Sequence, residues 1–274
     1  MSSREDVYAE YNAKSPNELN KVRCDEIRDL VRDKLGIIDK IGDYTMQCVL
    51  LMSLIDSFAQ EDNNYGMNYK KNKPYSDEKG EMGSKKSFCN FIKSYSPDTL
   101  KQVWETPEFI MEMSKDTELG AHVELRVPGW SAWLNVRSLN STPEYAQGYP
   151  RVLTAVKEYY ANKGIKWKPK TYVDMFYILR CKLIHEMAKP VKQLPKDEQL
   201  DFISYQERTV LAYDVEDNLR GIKVRELLVP YGFIRKVAEM CIMGYIDKCE
   251  ELGKDPYANY MKRLKKNNYN GWVK

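Results

Sequence analysis

The stretch TYVDMFYILRCKLIHEM, Thr171–Met187, decides how the chain is read. Val173, Phe176, Leu179, Leu183 and Met187 recur every three or four residues, the period of a helix with one apolar face. Into that pattern the stretch sets Arg180 and, five residues on, His185, one of only two histidines in 274 residues. At about 100° per residue the two lie about 140° apart around the axis, so spacing alone does not make them neighbours. Cys181 and His185, at i and i+4, are neighbours by the same rule. Arg180 shares a side with Phe176, Tyr177 and Ile184, so its stem can cross apolar surface while its head reaches outward.

An imidazole can move a proton near neutral pH, and a guanidinium can fork onto the charged oxygens of a phosphate. The pair therefore suits phosphoryl chemistry. A structural histidine beside a surface ion pair is the other reading of the same residues, and spacing does not choose between them. The surroundings bear on the choice.

The string LRCKLIHE, Leu179–Glu186, resembles the signature of the HEPN superfamily, in which Leu, Arg, a polar residue, Leu and His follow in this order. CVLLMSLIDSFAQ (Cys48–Gln60) is similar to the apolar helix with an Ile-Asp pair that precedes that signature. SFCNFIKSYSP (Ser87–Pro97) and VRELLVPYGFIRKVAEMCIMGYIDKCEEL (Val224–Leu252) resemble a Phe-rich helix and the strand-then-helix that closes such domains. Two departures stand out. Cys181 takes the place of the Asn, Asp or His usual in active members, and Met187 the place of a tyrosine that some members modify.

The resemblance implies a mainly α fold, a HEPN-like antiparallel helical bundle formed by Tyr44–Gln60, Arg151–Lys163, Thr171–Ala188 and Tyr231–Leu252. Residues 1–274 would form one domain, with 61–150 an elaboration between core helices and 253–274 a basic C-terminal tail. It further implies a metal-independent endoribonuclease with no cofactor. The 2′-hydroxyl of RNA would attack the adjacent phosphate, leaving 2′,3′-cyclic phosphate and 5′-hydroxyl ends. His185 would transfer the proton and Arg180 would stabilise the phosphate, with Cys181, Lys182 and Glu186 in support. One helix supplies one histidine, so the expected enzyme is a homodimer that brings Arg180 and His185 together from both subunits. Bacterial defence or a toxin–antitoxin pair, with a regulatory or antitoxin protein as partner, is the setting implied. The alternative is a non-catalytic scaffold of the same fold, binding RNA, a nucleotide or a protein.

Composition sets the outer limits. With 43% hydrophobic and 30% charged residues the chain reads as globular, and a net charge of +3 permits nucleic-acid binding without announcing it. Six scattered cysteines form no C-x-x-C pair and no metal spacing with histidine, which fits reduced thiols and a cytoplasmic protein. The longest apolar run, Cys48–Ile55, is too short for a bilayer, so no membrane is expected.

Along the chain, Ser15-Pro16-Asn17 reads as punctuation, Asp25–Leu35 as a helix that Gly36 closes, and 61–86 as a long loop. Ser87–Tyr95, Asp98–Trp104 and Pro107–Ser114 read as helices. His122–Val127 alternates like a strand before a Pro128-Gly129 turn, and His122 is taken as structural. Pro143–Pro150 reads as a break, and Gly164 as the stop of the helix after it. TVLAYDV and IKVREL read as a hairpin. Lys262, Arg263, Lys265 and Lys266, interleaved with aromatics, are the candidate RNA contacts of the tail.

Overall fold

Helix dominates the structure, a computed structural model that describes residues 14–62, 67–68, 73–74, 84–129, 143–186, 204–213 and 219–256. The helices among them are α1 (Pro16–Asp39), α2 (Tyr44–Asp62), α3 (Ser84–Tyr95), α4 (Asp98–Glu105), α5 (Ile110–Lys115), α6 (Thr117–Arg126), α7 (Pro143–Asn162), α8 (Tyr172–Glu186) and α9 (Tyr231–Glu251). The strands are β1 (Met67–Asn68), β2 (Lys73–Pro74), β3 (Ser204–Tyr213) and β4 (Leu219–Leu228). The chain divides into two compact units, Met1–Asp98 with Val237–Lys274, and Thr99–Lys236. These boundaries do not coincide with 61 and 150, where the sequence reading sets its insertion.

In the first unit, α1 starts at a reciprocal cap. The Ser15 hydroxyl accepts from the Glu18 N–H, the Glu18 carboxylate accepts from the Ser15 N–H at 2.7 Å, and Pro16 fills the first helical position. The helix therefore begins nine residues before Asp25, and Gly36 lies inside it rather than ending it. Cys24, Ile27, Val31, Leu35 and Ile38 bury one continuous face across that glycine, and this packing outweighs its weak helix propensity.

Helix α2 buries Cys48, Leu51, Met52, Ile55, Phe58 and Ala59, a broad apolar surface that suits a central position in its unit. The rings of Phe58, Phe91, Tyr95 and Tyr245 meet at 5.1–5.9 Å between centroids. Gly244 permits this approach, because a Cβ there would stand 3.2 Å from the Tyr95 carbonyl oxygen. Arg28 draws Asp25 and Asp247 to 2.7 Å and also binds Glu250, joining α1 to α9.

In the second unit, Phe109, Ile110, Met113, Leu119, Val123, Val127, Val152, Ala155, Val156 and Tyr159 form one buried cluster. This cluster explains a correction. His122–Arg126 is helical, not a strand, because Leu119, Val123 and Val127 recur at the helical interval of four and bury together. The Asp116 carboxylate accepts from the Leu119 N–H at 3.0 Å and starts the helix. Gly129, at φ +77°, supplies the turn expected at Pro128-Gly129.

A second correction concerns Pro143–Pro150, which belongs to α7. Pro143 stands in the first turn, where a missing N–H costs nothing, and Pro150 is carried inside the helix. Gly164, at φ +68°, stops the helix as expected, and the Ile165 N–H turns back to the Tyr160 carbonyl at 2.9 Å. Strands β3 and β4 pair antiparallel from Ser204↔Leu228 to Tyr213↔Leu219. The pairing takes in Leu219, Arg220 and Gly221, which belong to the six residues 216–221 between the two runs read as strands.

Candidate functional site

Helix α8 is fixed at its start by a second reciprocal cap. The Thr171 N–H and hydroxyl donate to the Asp174 carboxylate at 3.0 and 2.9 Å, and the Asp174 N–H donates to the Thr171 hydroxyl at 3.4 Å. Just before it, the Glu108 N–H donates to the Lys170 carbonyl at 2.7 Å and the Tyr172 N–H to the Thr106 carbonyl at 3.1 Å. Tyr172, Val173, Phe176 and Leu183 form the buried face, and Phe176 meets Trp104 and Phe233 at 5.3 and 6.3 Å. The apolar period thus sets the helix rotation, and the rotation sets where Arg180 and His185 emerge.

Arg180 is 8% exposed, whereas His185 is exposed in the last turn. Arg180 Nη1 lies 3.2 Å from His185 Nε2 and 3.9 Å from Cys181 Sγ. The two residues separated by about 140° on the helical wheel are therefore in contact. The wheel places Cβ atoms, but a three-carbon stem lets the guanidinium reach around the axis, which spacing alone does not anticipate.

The chemistry of the contact fixes a tautomer. A guanidinium only donates, so Nε2 accepts and the ring proton sits on Nδ1. Protonating Nε2 would set donor against donor, so an imidazolium requires the two groups to part. Tyr177 is the residue that motif reading passes over. Its ring centroid lies 5.7 Å from the guanidinium carbon, a cation–π contact, and its position three residues before Arg180 was the available signal.

The remaining candidates are more scattered. Lys182 is exposed, and Glu186 is the last residue of α8, its side chain outside the described residues. Met187 and the tail cations Lys262, Arg263, Lys265 and Lys266 also lie outside them. His122 is half-buried against Tyr159, ring centroids 5.5 Å apart. Tyr159 donates to Asp116 at 3.0 Å, and Lys163 reaches both Glu118 (2.7 Å) and Tyr159 (2.6 Å), closing a network that ties α6 to α7. The Lys163 bond holds the Glu118 carboxyl below its usual range.

Buried thiols are poor nucleophiles here. Burial pushes Cys48, Cys241 and Cys249 up to about 12 and Cys24 to about 11, which keeps them protonated. Among the described residues no three His, Cys, Asp or Glu side chains group as a metal site would need, and no helix is long and apolar enough to cross a membrane. Comparison with family models, curated proteins and solved structures finds no match for the chain.

Proposed function

We propose that the protein is a HEPN-like, metal-independent endoribonuclease whose working groups are Arg180 and His185. The observation that carries this reading is the 3.2 Å contact between a buried guanidinium and an exposed imidazole at the end of one helix. An incoming phosphate offers Arg180 a better acceptor than a neutral ring nitrogen, since its anionic oxygens add charge attraction and can take the guanidinium fork bidentately. As the phosphate takes the guanidinium's donors, His185 Nε2 is released and can take the proton of the 2′-hydroxyl. The 2′-oxygen then bonds to phosphorus, and the bond to the 5′-oxygen breaks.

The departing oxygen needs a proton, and a neutral imidazole is a poor source of one. A second copy of the chain supplies it, with the partner's imidazolium as acid. The functional form is therefore a homodimer, with RNA as substrate and a restraining protein as a further partner. Cys181, beside Arg180 Nη1, is a weak acceptor and competes little with phosphate.

One observation favours the rival reading, a non-catalytic scaffold. The resting contact occupies the lone pair that a general base needs. The test is incubation of labelled RNA with the purified protein in EDTA, wild type beside His185→Ala. Cutting that survives the chelator and vanishes in the variant supports the nuclease. Retention of RNA with no cutting by either protein supports the scaffold.

A further inference from the structure

Between Gly164 and the cap of α8 runs the segment IKWKPK, Ile165–Lys170, with no helix or strand of its own. From Lys166 onward, exposure alternates along it with period two. Lys166, Lys168 and Lys170 are exposed, while Trp167, Pro169 and Thr171 are half-buried. Such alternation is that of an extended chain, and the proline restricts Lys168 to extended backbone in any case. Both ends of the segment are anchored. The Trp167 ring lies parallel to Tyr160, 7° and 5.7 Å apart, and the Lys170 carbonyl accepts from the Glu108 N–H.

The anchoring fixes which residues face outward, and these are three cations in single file, about 7 Å apart at the rise of an extended chain. None of the three has an ion-pair partner among the described residues. Three exposed lysines along one extended stretch concentrate positive potential, which an anionic ligand lying along them would neutralise. A row one lysine wide suits a linear polyanion rather than a plane of lipid headgroups.

We infer that Lys166, Lys168 and Lys170 form a ladder that holds the phosphodiester backbone of single-stranded nucleic acid. The inference rests on the nuclease reading for the identity of that strand as RNA. Lys170 and His185 stand at opposite ends of α8, 15 residues or about 22 Å along its axis. A strand gripped by the ladder therefore extends several nucleotides beyond a phosphate at His185. The ladder gives affinity and register without reading sequence.

Binding is measured by fluorescence anisotropy with a labelled single-stranded oligoribonucleotide across a salt series, in the His185→Ala background so that nothing is cut. The triple variant Lys166→Gln, Lys168→Gln, Lys170→Gln should bind at least tenfold more weakly. Its slope of log affinity against log salt should fall by about 2, at 0.7 per phosphate contact. A control triple of equal charge change, Lys21→Gln, Lys34→Gln, Lys40→Gln on and just after α1, should bind as the parent. Circular dichroism checks that each variant is folded.

Equal losses in both triples, no loss in the ladder triple, or attachment to vesicles of anionic lipid without RNA binding would each overturn the ladder. Ladder-dependent binding in a protein whose wild type never cuts RNA keeps the ladder and removes the nuclease. Cutting by a wild type whose ladder triple binds unchanged does the reverse.

Discussion

Asp62, at the end of α2, gives the most quantitative prediction. Its carboxylate accepts the Tyr95 hydroxyl at 2.8 Å, and burial pushes its pKa from 3.8 up to about 6, against the opposing pulls of Tyr95 and Lys254. At 1.36 kcal/mol per pH unit, that difference is about 3 kcal/mol. The folded pKa lies above the unfolded one, so the stabilisation is full below pH 3.8, declines with rising pH and is lost above about 6. Asp62→Asn keeps a neutral acceptor for Tyr95 at every pH. The stability of the variant minus that of the wild type should therefore be flat in acid and rise by about 3 kcal/mol towards pH 8. Taking the difference cancels the other titrating groups. Urea titrations followed by circular dichroism, with a carbon NMR titration of the Asp62 carboxyl, measure both quantities. A difference curve flat from pH 4 to 8, or a carboxyl midpoint near 4, would refute the account.

Arg180→Lys keeps the charge but replaces a forked, planar donor set with a point charge, so chelator-resistant RNA cutting should fall about a hundredfold. Initial rates on a labelled RNA check it, and an unchanged rate would remove Arg180 from the chemistry. Thr171→Ala deletes one arm of the cap that starts α8 and should cost about 1 kcal/mol. Hydrogen exchange of the first-turn amides of α8 should quicken about fivefold, while α1 is unaffected.

What the sequence made legible was the elements whose local signals and packing agree. Helix α8 shows its apolar period openly, Pro97 follows the end of α3, and Gly164 and Gly253 adopt positive φ where helices stop. Two of the misreadings fall where a local signal lost to burial. His122–Val127 alternates in polarity, yet Leu119, Val123 and Val127 share one buried stripe whose first member lies outside the alternating run. Gly36 resembles a stop only if the buried face ending at Ile38 is overlooked. At the candidate site, the helix and both residue types were readable, but their contact was not. A wheel carries Cβ directions, and the meeting of Arg180 with His185 depends on a side chain long enough to leave its own sector.

On the nuclease reading, burial and exposure also set which member of that pair would move. The guanidinium is almost enclosed, with the Tyr177 ring 5.7 Å away, so leaving its place would forfeit packing as well as a cation–π contact. The imidazole stands exposed in the last turn. Parting the two costs one hydrogen bond from a charged donor, about 1.5–3 kcal/mol, and a phosphate on the same guanidinium replaces that bond with a stronger one. On the nuclease reading, substrate binding and release of the base would be one event: Arg180 would stay and exchange its acceptor, and His185 would swing free as the phosphate took its donor. An imidazole freed only by phosphate would then be a base only when there is something to cut.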